Sequence, residues 1–214
     1  MARGLIFHAK GFTGSITVTD GASSVVVTPT NSSSAFEVMK TLAANCQSEF
    51  GGTWTTTLND SFFIKIESSG AGTWSITFGG NTRARTGMQS ASYSGVSSVT
   101  ATKVPQGAFF PYADGAGLLF ALDARVPTAK GKQTYDSAVF YNTPATNQKR
   151  PICRFSCLRS KTLDFVAASQ FMGTPAKVQI IDDANDSSYF VGNIRTRETA
   201  SIDGWSEIEM ELAK

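Results

Sequence analysis

The spacing of hydrophobic residues changes several times along the chain, and each change marks an element. Over residues 35–49, Phe36, Met39, Ala43, Cys46 and then Phe50 recur at three- to four-residue steps, the spacing that lines one face of an α-helix. Ser34 followed by Glu37 has the form of a capping box. Gly51 and Gly52 supply the stop. Upstream, "GSITVTD" and "SSVVVTPT" predict a strand pair about the turn Asp20-Gly21. Downstream, "SFFIKIES" and "TWSITFG" predict two further strands, joined as a hairpin by "SGAG". Phe62, Ile64 and Ile66 share one face of the first, and Trp74, Ile76 and Phe78 share one face of the second. The helix is expected to pack on that face, giving an N-terminal α+β lobe within residues 1–90.

Residues 91–117 carry little periodic signal. Long passages of this kind inside a compact domain are uncommon and are often functional or connecting. Two readings stand side by side: an extended arm laid on a neighbour and anchored by Phe109, Phe110, Pro111 and Tyr112, or a loop folded back on its own core. From 118 to 214 the pattern is that of strands: "LLFALDA", "SAVFYN", "ICRFSCL", then "KVQIIDD", "SYFVGNIRTRE" and "WSEIEMELAK" as a closing antiparallel set, with "LDFVAASQFMG" open to helix or strand. In the last strand Ile208, Met210 and Leu212 alternate with Glu207, Glu209 and Glu211, one apolar face and one wet face. The expected fold class is α+β, mostly β, with antiparallel sheets of sandwich or barrel type and one well-defined helix.

Composition narrows the function classes. Charged residues make up 17% of the 214 positions, hydrophobic residues 41%, and the net charge is +2. That is enough apolar content for a core and too little clustered basic charge for nucleic acid. No run approaches the roughly 18 apolar residues of a membrane span, and the N-terminus lacks the apolar segment of a secretory signal, so folding in a cytoplasm without membrane insertion is expected. Cys153 and Cys157 are four apart in a strand, roughly 13 Å, beyond the reach of about 7 Å for a disulfide. With Cys46 on a helix face, buried free thiols are expected.

Candidate chemistry is sparse. The lone histidine, His8, has no nucleophile motif beside it. Asp182, Asp183, Asn185 and Asp186 bunch oxygen ligands but lack calcium-loop spacing, and read as a turn. Glu207, Glu209 and Glu211 read as a solvated strand face rather than an acid–base pair. The expectation is a protein that is not an enzyme and carries no cofactor and no metal.

The stretch "FGGNTRARTGMQSASYSG" lacks the lysine and spacing of a phosphate loop, and it has a single nearby aromatic for nucleic-acid stacking. It reads as a connector whose Arg83 and Arg85 pair with carboxylates, within the chain or on a neighbour. The order of elements resembles a recurring type of tailed-bacteriophage protein. A capped helix and strand hairpin are followed by a Thr/Arg segment ending in Gly87-Met88. A Tyr/Ser/Gly loop follows from Tyr93 to Gly95. "SYFVGNIRTRETASIDGWSEIEMELA" is similar to the closing strands of phage tail proteins, with Tyr189 to Gly192 and a strand led by Trp205. The resemblance implies a virion part of the tail tip, baseplate or minor tail protein type. Such a protein acts by assembly, with copies of itself in a ring and with other tail proteins as partners. Arg83, Arg85, Met88, Tyr93, Phe109, Phe110 and Tyr112 are the candidate assembly residues. Two alternatives stay open. One is another virion role, as a head–tail connector, tail completion or capsid-decoration protein. The other is a β-rich carbohydrate-binding module using Trp54, Trp74 or Trp205.

Overall fold

The computed structural model describes residues 4–30, 33–110, 121–125, 150–171, 177–181, 188–198 and 205–213. The elements of the first half are β1 (Gly4–Phe7), β2 (Ile16–Thr19), β3 (Ser24–Val27), α1 (Ala35–Phe50), β4 (Thr53–Leu58), β5 (Ile64–Ser69), β6 (Trp74–Phe78) and α2 (Thr82–Thr86). Three short strands follow, β7 (Ser92–Val96), β8 (Ser98–Thr100) and β9 (Ala108–Phe109). The second half holds β10 (Ala121–Arg125), β11 (Arg150–Leu158), α3 (Arg159–Ser169), β12 (Lys177–Ile181), β13 (Ser188–Glu198) and β14 (Trp205–Ala213). The fold is α+β and mostly β, with antiparallel sheets, one of them curled as a half-barrel.

The helix α1 starts and stops where its sequence says. Ser34 Oγ accepts the Glu37 N–H at 3.1 Å, and Gly51 N–H donates to the Gln47 carbonyl at 3.1 Å. Val38, Met39, Leu42, Ala43 and Cys46 are buried on one face, each large apolar side chain contributing about 1.5–3 kcal/mol. Ser34 also bonds the Gln179 side chain, so the helix start is tied to β12 as well as capped.

The expected hairpin of "SFFIKIES" and "TWSITFG" does not form. These segments, β5 and β6, enter different sheets, ordered β4-β5-β8 and β3-β2-β6-β7. The link between them crosses from one sheet to the other. β5 pairs with β4, a Thr-rich strand of weak apolar signal, and β6 pairs with β2 and β7. The apolar faces still meet: the Trp54 and Trp74 rings lie 5.0 Å apart in the core that α1 covers.

A second correction concerns residues 4–7. Assigned by sequence to the N-terminal lobe, β1 sits inside the seven-stranded sheet of the other half, ordered β10-β11-β14-β13-β12-β1-β9. Its two faces serve two cores. Ile6 belongs to the cluster under α1, while Leu5 and Phe7 belong to the cluster under α3. A strand covered on both faces carries an unbroken apolar run rather than an alternating one, and "GLIF" is such a run.

Residues 92–110 also differ from an extended arm. They supply β7, β8 and β9 to the chain's own sheets. The closing strands pair as β12-β13-β14 in antiparallel register, with Ile208, Met210 and Leu212 buried. On the opposite face Glu209 accepts from Arg154 at 2.6 Å, so one of the three expected solvated carboxylates is tied across the strands. "SAVFYN", Tyr112 and the cluster Asp182, Asp183, Asn185 and Asp186 lie outside the described residues.

Candidate functional site

The predicted assembly residues divide into buried and accessible sets. Met88, Phe109 and Phe110 are spent on the chain's own cores. Phe109 packs on Phe155 and Phe165, with both centroid distances 5.3 Å, and Phe110 stacks on Phe62 at 4.2 Å. Adjacent residues of a strand face opposite ways, so these two phenylalanines anchor both cores instead of an outgoing arm. Tyr93 is half-buried with its ring edge-on to Phe78, and its hydroxyl accepts the Ser90 N–H at 3.0 Å.

Arg83 and Arg85 find carbonyls rather than carboxylates. Arg83 is exposed and donates to the Gln89 carbonyl at 3.3 Å. Arg85 donates to the Lys10 carbonyl at 3.3 Å, and its guanidinium carbon lies 5.0 Å from the Phe171 ring centroid and 5.8 Å from that of Phe12. Its Nη1 is buried without a hydrogen-bond partner, and loss of solvation lowers the pKa of the group. Arg85 is therefore a clasp within the chain, holding α2 against residues 10–12 and the end of α3.

That clasp borders a cleft of about 520 Å³ between α3, the 104–110 segment and the turn at 61–62. Its walls include Phe62, Val104, Phe110 and Phe171, and its charged lining groups are Lys161 and Asp164, ion-paired at 3.5 Å. Size and apolar character match those of ligand or side-chain pockets. One wall is built under strain. Phe62 has φ 60, the sole positive φ at a non-glycine among the described residues, a conformation costing about 1–3 kcal/mol. Asn59 holds it there, its Oδ1 accepting the N–H groups of Ser61 and Phe63, both at 3.0 Å. No local sequence pattern announces the cleft, because three separate segments form it.

His8 is not alone. It is 2% exposed, with Nε2 lying 3.6 Å from Glu37 Oε2 and 3.3 Å from Ser188 Oγ. Serine, histidine and glutamate together suggest nucleophilic chemistry, but a triad engages the two ring nitrogens separately. Here both partners approach the same nitrogen. The cluster is a polar joint between the start of α1, β1 and β13.

All three cysteines are buried free thiols. Burial pushes Cys46 and Cys153 up to about 12, and raises Cys157 against the opposing hydrogen bond from Thr162. In the unfolded chain a thiol ionises near pH 8.5. Stability is therefore full below that pH. It falls as pH rises toward about 12, by about 1.4 kcal/mol per pH unit for each of Cys46 and Cys153. Urea unfolding at pH 8 and pH 10.5 is expected to show a smaller pH loss in Cys153→Val than in the unaltered protein. Equal losses would remove Cys153 as the cause.

Among the described residues, no helix is long and apolar enough to cross a membrane, and no group of three metal-ligating side chains gathers. Trp54 and Trp74 are 5% and 2% exposed, too covered to stack on a sugar. Compared with known protein families, with curated proteins and with solved structures, the chain matches none of them.

Proposed function

We propose that this protein is a structural component of a bacteriophage tail, of the tail tip, baseplate or minor tail protein type, acting by assembly with copies of itself and with other tail proteins. The observation that supports the reading is the set of outermost strands. Among the described residues, the three sheets end in β10 and β9, in β3 and β7, and in β4 and β8. An unpaired edge accepts a strand from another chain, and contacts of that kind close into rings when the rotation between copies allows it. The phage-like motifs add support. "TRART" is the short helix α2 ended by Gly87, "SYSGV" is the edge strand β7, and the closing motif forms β13 and β14. Light scattering across a wide concentration range, with negative-stain images of the same samples, tests the proposal. The expected result is a discrete closed oligomer, or association that grows with concentration. A strict monomer at every concentration, with no ring in the images, overturns self-assembly.

A further inference from the structure

Two stretches of the sequence, 1–19 and 68–113, contain no aspartate or glutamate, and Lys10, Arg83, Arg85 and Lys103 fall within them. The fold brings these stretches together around α2. Asn81, at the start of α2, accepts the Thr13 N–H at 2.9 Å and donates to the Gly11 carbonyl at 2.7 Å. Arg85 reaches the Lys10 carbonyl. At the other end the Gly87 carbonyl accepts the Thr102 and Lys103 N–H groups, and Gln106 N–H donates to the Arg85 carbonyl. Each of the four cations therefore stands on α2 or on a segment bonded directly to it.

Lys10, Arg83 and Lys103 are exposed, and Arg85 is half-buried. Among the described residues none of the three exposed cations meets a carboxylate, and the Arg83 side chain bonds the Gln89 carbonyl instead. Other cations of the chain are neutralised locally: Lys65 pairs with Glu67, Arg154 with Glu209 and Lys161 with Asp164. Glu37, near the start of α1, is turned onto His8. Like charges gathered without counter-charges repel one another. A partner of opposite charge relieves that repulsion, steers the encounter and fixes its register.

We propose that the surface around α2 docks an acidic segment of a protein partner, with Lys10, Arg83 and Lys103 each taking a carboxylate. The choice among anionic partners follows from the surroundings. A single-stranded nucleic acid needs exposed aromatic rings for its bases. The rings here are engaged: Phe12 is buried, Tyr93 is half-buried against Phe78, and Phe171 lies against Arg85. A duplex needs a broader basic field than a net charge of +2 supplies. An anionic membrane surface takes a cluster of about 4–8 cations, and three are exposed here. Carboxylates on an extended segment need only spaced cations that hold no partner of their own. The inference stands apart from the tail reading, since it names the chemistry of a partner and does not require that partner to be a copy.

Fluorescence anisotropy on the full chain tests this, with labelled deca-glutamate and deca-thymidine as probes. Deca-glutamate is expected to bind at low ionic strength and to weaken at about 0.15 M salt. Lys10→Gln, Arg83→Gln and Lys103→Gln combined are expected to weaken its binding by about tenfold. Lys40→Gln, Lys65→Gln and Arg195→Gln combined remove the same charge from α1, β5 and β13, and are expected to change it by less than about twofold. Equal weakening by the two combinations overturns the site, because binding would then follow net charge alone. No binding of deca-glutamate at low salt overturns it as well. Tighter binding of deca-thymidine than of deca-glutamate overturns the protein partner and makes the surface a nucleic-acid contact.

Discussion

Phe7→Ala lowers the stability of the whole chain by about 3–5 kcal/mol, in one unfolding transition. Phe7 is fully buried, edge-on to Phe165 with centroids 5.7 Å apart. Removing the ring leaves a hole lined by β12, β9 and α3, which backbone pairing on both sides of β1 keeps from collapsing. The loss spreads because Ile6, the next residue back, supports the other core. A strand that serves two cores cannot loosen in one alone. Urea unfolding followed by tryptophan fluorescence and by far-ultraviolet circular dichroism measures this. Two of the three tryptophans, Trp54 and Trp74, lie in the cluster under α1, so fluorescence reports mainly on the half that Phe7 does not touch. Both signals are expected to shift to the same lower midpoint. A fluorescence midpoint left in place while the dichroism midpoint falls would mean two independent lobes. Val26→Ala, an exposed change, is the control and stays within about 0.5 kcal/mol.

Local elements were legible in the sequence, and their neighbours were not. α1 is readable because its period, its cap at Ser34 and its stop at Gly51 are all local. β14 is readable because Ile208, Met210 and Leu212 alternate without interruption. Alternation tells which face is buried, however, and not which strand lies alongside. β5 and β6 follow one another with matching apolar faces, yet each finds its partners elsewhere. β1 pairs through Gly4↔Ile181, a contact between segments far apart in the chain that neither encodes alone. The candidate site fails for the same reason. Arg85 reads, with Arg83, as a partner for carboxylates in a polar connector until folding brings Phe12 and Phe171 to it. Phe109 and Phe110 read equally as the anchor of an arm or as part of a loop folded back on its own core, until strand geometry sends them to opposite cores. The strain at Phe62 leaves one trace, the polar "LNDS" turn before it, in which Asn59 is of the type that bonds nearby backbone.

Gly87→Ala is expected to cost about 3–4 kcal/mol, against about 1–2 kcal/mol for Gly21→Ala. Both glycines have positive φ, 78° and 98°, so both substitutions incur the left-handed penalty. The difference is what surrounds them. Nothing lies within 4 Å of a Cβ placed on Gly21. A Cβ on Gly87 would lie 2.1 Å from the Lys103 carbonyl oxygen and 2.9 Å from its carbon, and backbone atoms cannot swing aside as a side chain does. Relief requires moving residues 102–106. That movement breaks the N–H bonds from Thr102 and Lys103 to the Gly87 carbonyl, 3.1 and 3.2 Å, and strains the bond from Gln106 to Arg85, 3.0 Å. The same residues carry Val104 on the cleft wall, so relief at Gly87 shifts that wall as well. Urea midpoints of the two variants decide the point. Equal stability losses at Gly21 and Gly87 would mean that the crossing at Lys103 is slack. The 2.1 Å approach would then relax without cost, and the glycine of the Thr/Arg segment would serve only to end α2.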